Sequence, residues 1–145
     1  MWVSGVLLLG VLLSWPAHAQ DVPVVTSGVN NILECVVENG DGTYTARFGY
    51  ETDYDGPVRV PYGSENKMTP ARFQGEQPDI FEPIANAPDG RPGRTPYDAG
   101  AFQITFDAGE EVVWNLLGST ETASQNTKRC PSKCLSSTFF ETVDY

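Results

Sequence analysis

Histidine is nearly missing from this chain of 145 residues: there is one, His18. It falls in segment 1–19, which reads as a signal peptide, so the mature chain is expected to carry none. Without imidazole, Ser-His-Asp and Cys-His catalysis lose the group that carries a proton near neutral pH. Zinc sites with His ligands go too, and three Cys alone make a poor closed tetrahedral site. Basic residues are also scarce, 9 Lys+Arg against 19 Asp+Glu for a net charge of -10. That balance argues against nucleic acid or anionic lipid as a partner, since phosphates call for a basic patch. Long apolar runs are absent. The longest, Val6 to Leu13, is too short to span a bilayer, which takes about 20 residues.

That run precedes Ala17-His18-Ala19, the small-x-small pattern that signal peptidase reads. Cleavage before Gln20 is expected, with secretion and no membrane insertion afterwards. No segment carries a convincing helical period. With 40% hydrophobic and 11% aromatic residues the chain can still fill a core, and its length suits one domain.

What is present reads as strands. Residues 32–38 are apolar and β-branched and end at Asn39-Gly40-Asp41-Gly42, a tight-turn cluster. In the next run Tyr44, Ala46, Phe48 and Tyr50 alternate with polar residues, so 32–50 predict a hairpin. Phe102, Ile104 and Phe106, then Val112, Trp114 and Leu116, flank Asp107-Ala108-Gly109 and predict a second hairpin. Thr120 to Ser124 predicts another strand, and Val58 with Val60 a short edge strand between prolines. Trp114, in phase with Val112 and Leu116, is expected in the core.

The middle differs. Eight prolines lie from Pro57 to Pro96, and each lacks a ladder donor. A long Pro-rich crossing loop is expected there, anchored by Phe73, Ile80, Phe81 and Ile84, with 86–96 its polar and mobile tip. The expected fold is therefore all-β: a small antiparallel β-sandwich with Greek-key or jelly-roll-like connections. Its divisions are a signal peptide at 1–19, an N-terminal arm at 20–31, the sandwich at 32–130, and a C-terminal tail or strand at 131–145.

Secretion supplies an oxidising compartment, so a disulfide is expected. Cys35 in the first strand pairs with Cys130 or, second, Cys134, either of which ties the two ends of the sandwich together. A Cys130–Cys134 ring would stabilise less and leave the strand thiol unpaired. One cysteine is left over in any case.

A set of residues in order over 33–124 carries a resemblance. It comprises Cys35, Asn39-Gly-Asp-Gly-Thr-Tyr-Thr-Ala46, Phe48-Gly-Tyr50, Asn66-Lys67, Pro70, Gly75, Gln77-Pro78, Phe81, Pro83, Phe102, Phe106, Val113-Trp114, Leu116, Gly118 and Thr122-Ala123-Ser124. In these the chain resembles a β-sandwich module repeated in large bacterial cell-surface and adhesin-like proteins. The resemblance implies a non-catalytic extracellular module and no catalytic residues to carry over. Two departures stand out: a single copy instead of an array, and a longer stretch at 85–96. A lone copy with a mechanical role must join other copies non-covalently.

Three candidate surfaces follow. Glu51, Asp53, Asp55 and Gly56 mimic positions 1, 3, 5 and 6 of a calcium loop, but position 12 falls on Tyr62, which lacks the bidentate carboxylate. This is a weak calcium candidate, and no metal or other cofactor is expected. Tyr54, Tyr62 and Tyr97 sit in loops near Asp and Asn, a composition that can stack a sugar ring and bond its hydroxyls; the plainer alternative is that they cap the core. Both arms also hold strand formers: Val22, Val24 and Val25 at one end, and Phe139, Phe140 and Val143 at the other. Either arm can dock at home or enter a neighbour's sheet edge.

The functional expectation is a secreted, non-enzymatic structural or adhesive subunit whose partners are copies of itself, self-assembling into filaments by terminal strand addition. A carbohydrate-binding module with an extracellular glycan as partner is the alternative. A small carboxylate-dependent hydrolase comes third, since Asp and Glu are plentiful but fall mostly in turns and on solvated strand faces.

Overall fold

The computed structural model describes residues 21–84 and 98–131. The expected signal peptide, Tyr97, Cys134, Phe139, Phe140, Val143 and the polar stretch 86–96 lie outside them. Within them the protein is a small antiparallel β-sandwich. One sheet pairs β1 (Val29–Glu38) with β2 (Thr43–Thr52) and β2 with β6 (Asp98–Asp107). The other pairs β4 (Asn66–Thr69) with β7 (Val112–Leu116) and β7 with β8 (Ser119–Ala123). A third, two-stranded sheet joins β3 (Val58–Arg59) to β5 (Ile80–Phe81).

The first hairpin forms as the turn residues require. Gly40 and Gly42 take φ of 80° and 87°, which glycine adopts freely. The Asp41 carboxylate accepts from the Thr43 amide at 3.0 Å and its hydroxyl at 2.6 Å, and these bonds hold its pKa below the ordinary value. β1 starts at Val29, so residues 29–31, read with the arm, belong to the strand. A bulge between Leu33 and Cys35 then shifts the alternation. Asn31 and Leu33 face the core before it and Val36 after it, which leaves Cys35 to reach Cys130 at the edge.

The second expected hairpin does not exist. β6 pairs with β2, and β7 with β4 and β8, so residues 107–111 carry the chain from one sheet to the other. Alternation reports which face is buried and is blind to which sheet a strand joins. The real second hairpin is β7–β8. Its two-residue turn has Leu117 at φ 50° and Gly118 at φ 83°, the twist that favours tight hairpins.

The two sheets meet over an aromatic core. Trp114 is fully buried and edge-on to Phe48 and Phe102, with ring centroids 5.9 and 4.9 Å away. Phe48 stacks on Phe102 across β2 and β6 at 5.1 Å. Tyr50 meets Phe81 of β5 edge-on at 4.9 Å, which joins the small sheet to the sandwich. Of the expected loop anchors, Phe81 is buried and Phe73 and Ile84 pack on the core, whereas Ile80 is exposed.

Cys35 is bonded to Cys130, 95 residues on, with Cα atoms 4.8 Å apart. In the chain-entropy picture a loop of that length contributes about 4–5 kcal/mol. Among the described residues no helix is long and apolar enough to cross a membrane.

Candidate functional site

The residues with binding chemistry lie around the turn from β3 to β4. Tyr62 is 46% exposed, yet its hydroxyl donates to the Gln77 carbonyl at 2.7 Å. Burial around that oxygen, reinforced by Asp79 and opposed by Arg59, raises the phenol pKa. The phenol therefore stays protonated, and its ring face is what it offers to solvent. Beside it Gly63, Ser64, Lys67, Met68, Ala71 and Gln74 line an open hollow of about 470 Å³.

The back of this hollow is a network of buried amides. Asn66 is fully buried; its Nδ2 donates to Val60 O at 2.9 Å and Pro78 O at 2.8 Å, and its Oδ1 accepts from Trp114 Nε1 at 3.0 Å. Gln77, 1% exposed, accepts from the Gly75 amide and donates to the Asn66 carbonyl. Every one of these groups would cost about 1–3 kcal/mol if left unpaired in the interior. The network therefore holds the Pro-rich crossing segment against the core. The sequence reading did not assign Asn66, Gln74 or Gln77 any role. A run such as Asn66-Lys67-Met68-Thr69 has one large apolar residue and gives almost no strand signal. Its only trace was the presence of Asn66 and Gln77 among the residues that carry the resemblance.

The other expected sites fare differently. Tyr54, in the loop after β2, holds the N-terminal arm: its hydroxyl donates to Ser27 O at 2.9 Å, and a Cβ on Gly28 would stand 2.8 Å from its ring. No described residue is shared between its surroundings and the Tyr62 hollow, so Tyr54 and Tyr62 do not belong to one sugar platform. Glu51, Asp53 and Asp55 are not gathered either. No group of three His, Cys, Asp or Glu able to hold a metal occurs among the described residues. Glu51 instead accepts from Asn30 across the β1–β2 ladder, and the Asp53 amide is tied to Gly28 O. Strand alternation and the turn after Thr52 disperse the three carboxylates. Glu121 on β8 has its pKa raised by burial alone.

The arms and sheet edges make up the remaining surface. The N-terminal arm docks at home: Val24 pairs in parallel with Arg59, Arg59 N donates to Pro23 O at 2.8 Å, and Val25 N donates to Arg59 O at 2.9 Å. Val25 packs on the core, while Val24 stays 62% exposed. The outer edge of β1 is covered by residues 128–130, through Val36 N to Lys128 O and Cys130 N to Val36 O. The outer edge of β4 is covered in two parts: Gln74 Oε1 accepts from the Met68 amide at 2.8 Å and its Nε2 donates to Asn66 O at 3.2 Å, while Gly63 exchanges backbone bonds with Asn66 and Gln77 adds a second amide donor to Asn66 O. Beyond β5, the Tyr50 hydroxyl both accepts from Glu82 N and donates to Glu82 O, each at 3.0 Å.

No family model matches the chain, and no curated protein or solved structure matches it.

Proposed function

We propose that this chain is a secreted, non-enzymatic β-sandwich subunit with a structural or adhesive role, assembling with copies of itself through its C-terminal arm. The observation that carries this reading is the Cys35–Cys130 bond. It fastens the root of the C-terminal arm to β1, so a pull on that arm is borne by a covalent bond into the sandwich. A disulfide of this kind also fits an oxidising compartment, as secretion provides. The N-terminal arm is engaged in its own sheet, which leaves residues 135–145 as the segment available to a neighbour. The resemblance to modules of bacterial surface proteins points the same way.

The test is sedimentation and negative-stain microscopy of the secreted chain over a range of concentration and salt. Growing oligomers are expected, and salt should promote them by screening the net charge of -10. A chain that stays monomeric throughout contradicts the reading.

A second reading, glycan binding, is favoured by one observation: an exposed Tyr62 ring beside a hollow that also presents Ser64 and Lys67. On this reading Tyr62→Ala abolishes retention on a polysaccharide column and Tyr62→Phe keeps it. No wild-type signal on a glycan array would remove this reading.

A further inference from the structure

β6 is the long edge strand that nothing among the described residues covers. It ends its sheet, paired only with β2. Its ten residues include no proline and no lysine, and the only charges are Asp98 and Asp107 at its ends. Proline, inward charge, shortness or a cover are the usual protections of an exposed edge. β1 and β4 each have a cover, β3 is joined by the N-terminal arm, β5 is only two residues long, and β8 is five residues long with Glu121 at its middle.

The hydrogen-bond phase shows which groups face outward. Ala108 N donates to Gly42 O at 3.1 Å, and the register pairs Tyr44 with Phe106, Ala46 with Ile104 and Phe48 with Phe102. In an antiparallel ladder, bonded and non-bonded pairs alternate. Phe102, Ile104 and Phe106 therefore turn their backbone groups to β2, and Gln103 and Thr105 turn theirs to the open side. The phase continues consistently across the sheet: Asn39 N donates to Thr43 O on the β1 side of β2, and Val36 turns outward to residues 128–130.

We infer that the outer edge of β6 is the acceptor for residues 137–143 of a second copy of this chain, added as a further strand. This rests on the assembly reading above and names its contact surface. The occupant, Ser137-Thr-Phe-Phe-Glu-Thr-Val143, is rich in β-branched and aromatic residues and carries one charge. Glu141 must face water, which puts Thr138, Phe140 and Thr142 on the core side of the extended sheet. The position of Cys130 selects a neighbour's tail over the chain's own. Cys130 lies beyond β1, at the opposite edge of the same sheet. From there to a strand beyond β6 is four inter-strand spacings, about 19 Å. The residues between Cys130 and Ser137 reach about 20–25 Å when fully extended, so the chain's own tail would have to run taut over the sheet's side chains. A neighbour's tail has no such constraint. Donor and acceptor at opposite edges give a head-to-tail contact that propagates as a filament.

The experiment uses two full-length variants. Gln103→Pro removes one outward N–H of β6 and leaves the β2 ladder and the core intact, because Gln103 is exposed. Phe140→Pro disables the donor and leaves the acceptor whole. Each variant alone is expected to be a monomer by light scattering where wild type forms oligomers. Mixed in equal amounts, they are expected to give a dimer and stop, since one supplies a tail and the other an edge. Gln103→Lys repeats the acceptor test without a change of backbone. Oligomers unaffected by all three substitutions would overturn this contact and leave the assembly reading standing. Monomeric wild type would overturn both. Two monomeric variants that fail to combine would place the tail in its own chain and overturn the contact in trans.

Discussion

The edges of β4 and β6 are one structural problem with two outcomes. Both strands end a sheet, and both present a row of peptide groups that can template another chain. On β4 a side-chain amide takes the place of the missing strand: Gln74 bonds Met68 N and Asn66 O as a neighbouring peptide would. On β6 the groups of Gln103 and Thr105 meet no such mimic among the described residues. The capped edge lies in the Pro-rich segment held by buried amides, and the open edge belongs to a regular ten-residue strand. Closing the β4 edge takes two side-chain amides, Gln74 and Gln77, and the backbone of Gly63.

The largest expected effect separates the core from the edges. Trp114→Ala removes the ring that links Phe48 and Phe102 and leaves Asn66 Oδ1 without its donor. A loss of about 3–5 kcal/mol is expected from denaturant titration. If both edges depended mainly on local contacts, this substitution would leave assembly by folded molecules unchanged; a loss of folding and assembly together is the expected result. Next, replacing Cys35 and Cys130 by Ala should cost about 2–5 kcal/mol in the same titration.

Gln74→Ala sharpens the comparison directly. It frees Met68 N on a part-buried edge, while Asn66 O keeps the Gly63 amide and Gln77 as donors, for an expected loss of about 1–2 kcal/mol. It should also uncover the β4 edge at Met68, read as faster association by light scattering. Arg72 and Glu110 join the segment after β4 to the turn after β6, with Arg72 Nη2 2.7 Å from Glu110 Oε2. The Arg72 hydrogen bonds, with the Asp107 amide, hold the Glu110 pKa below its ordinary value. Its stabilising contribution is therefore present above the ordinary carboxyl range and lost as pH falls through the lowered value. The smallest effect follows: Glu110→Gln should flatten this part of the acid limb of stability against pH, measured by thermal melts.

Much of this contrast could be read before the structure, and the unread part has a physical reason. Tyr44 to Tyr50 and Val112 to Leu116 announce half-buried strands because alternation is a property of one strand and one face. The Cys35–Cys130 pairing was among two left open, and geometry settled it. The partner of each strand is a property of the whole sheet. Phe102 to Phe106 and Val112 to Leu116 carry the same pattern whether they form a hairpin or cross between sheets. β4 was hidden for a related reason: Asn66 and Gln74 act through side-chain amides that no periodicity reports. Tyr54 and Tyr62 looked equivalent as loop tyrosines, and only their partners, Ser27 and Gln77, show that one secures an arm and the other flanks a hollow.

The most direct test of the β4–β6 comparison is residue-resolved amide hydrogen exchange on the full chain, dilute at low salt and then concentrated at high salt. The amide of Met68 should be protected in both conditions, because Gln74 already occupies its edge. The amides of Gln103 and Thr105 should exchange freely in the dilute monomer and become protected in the assembled state. Protection of Gln103 and Thr105 in the monomer, or free exchange at these positions in the assembly, would contradict the account.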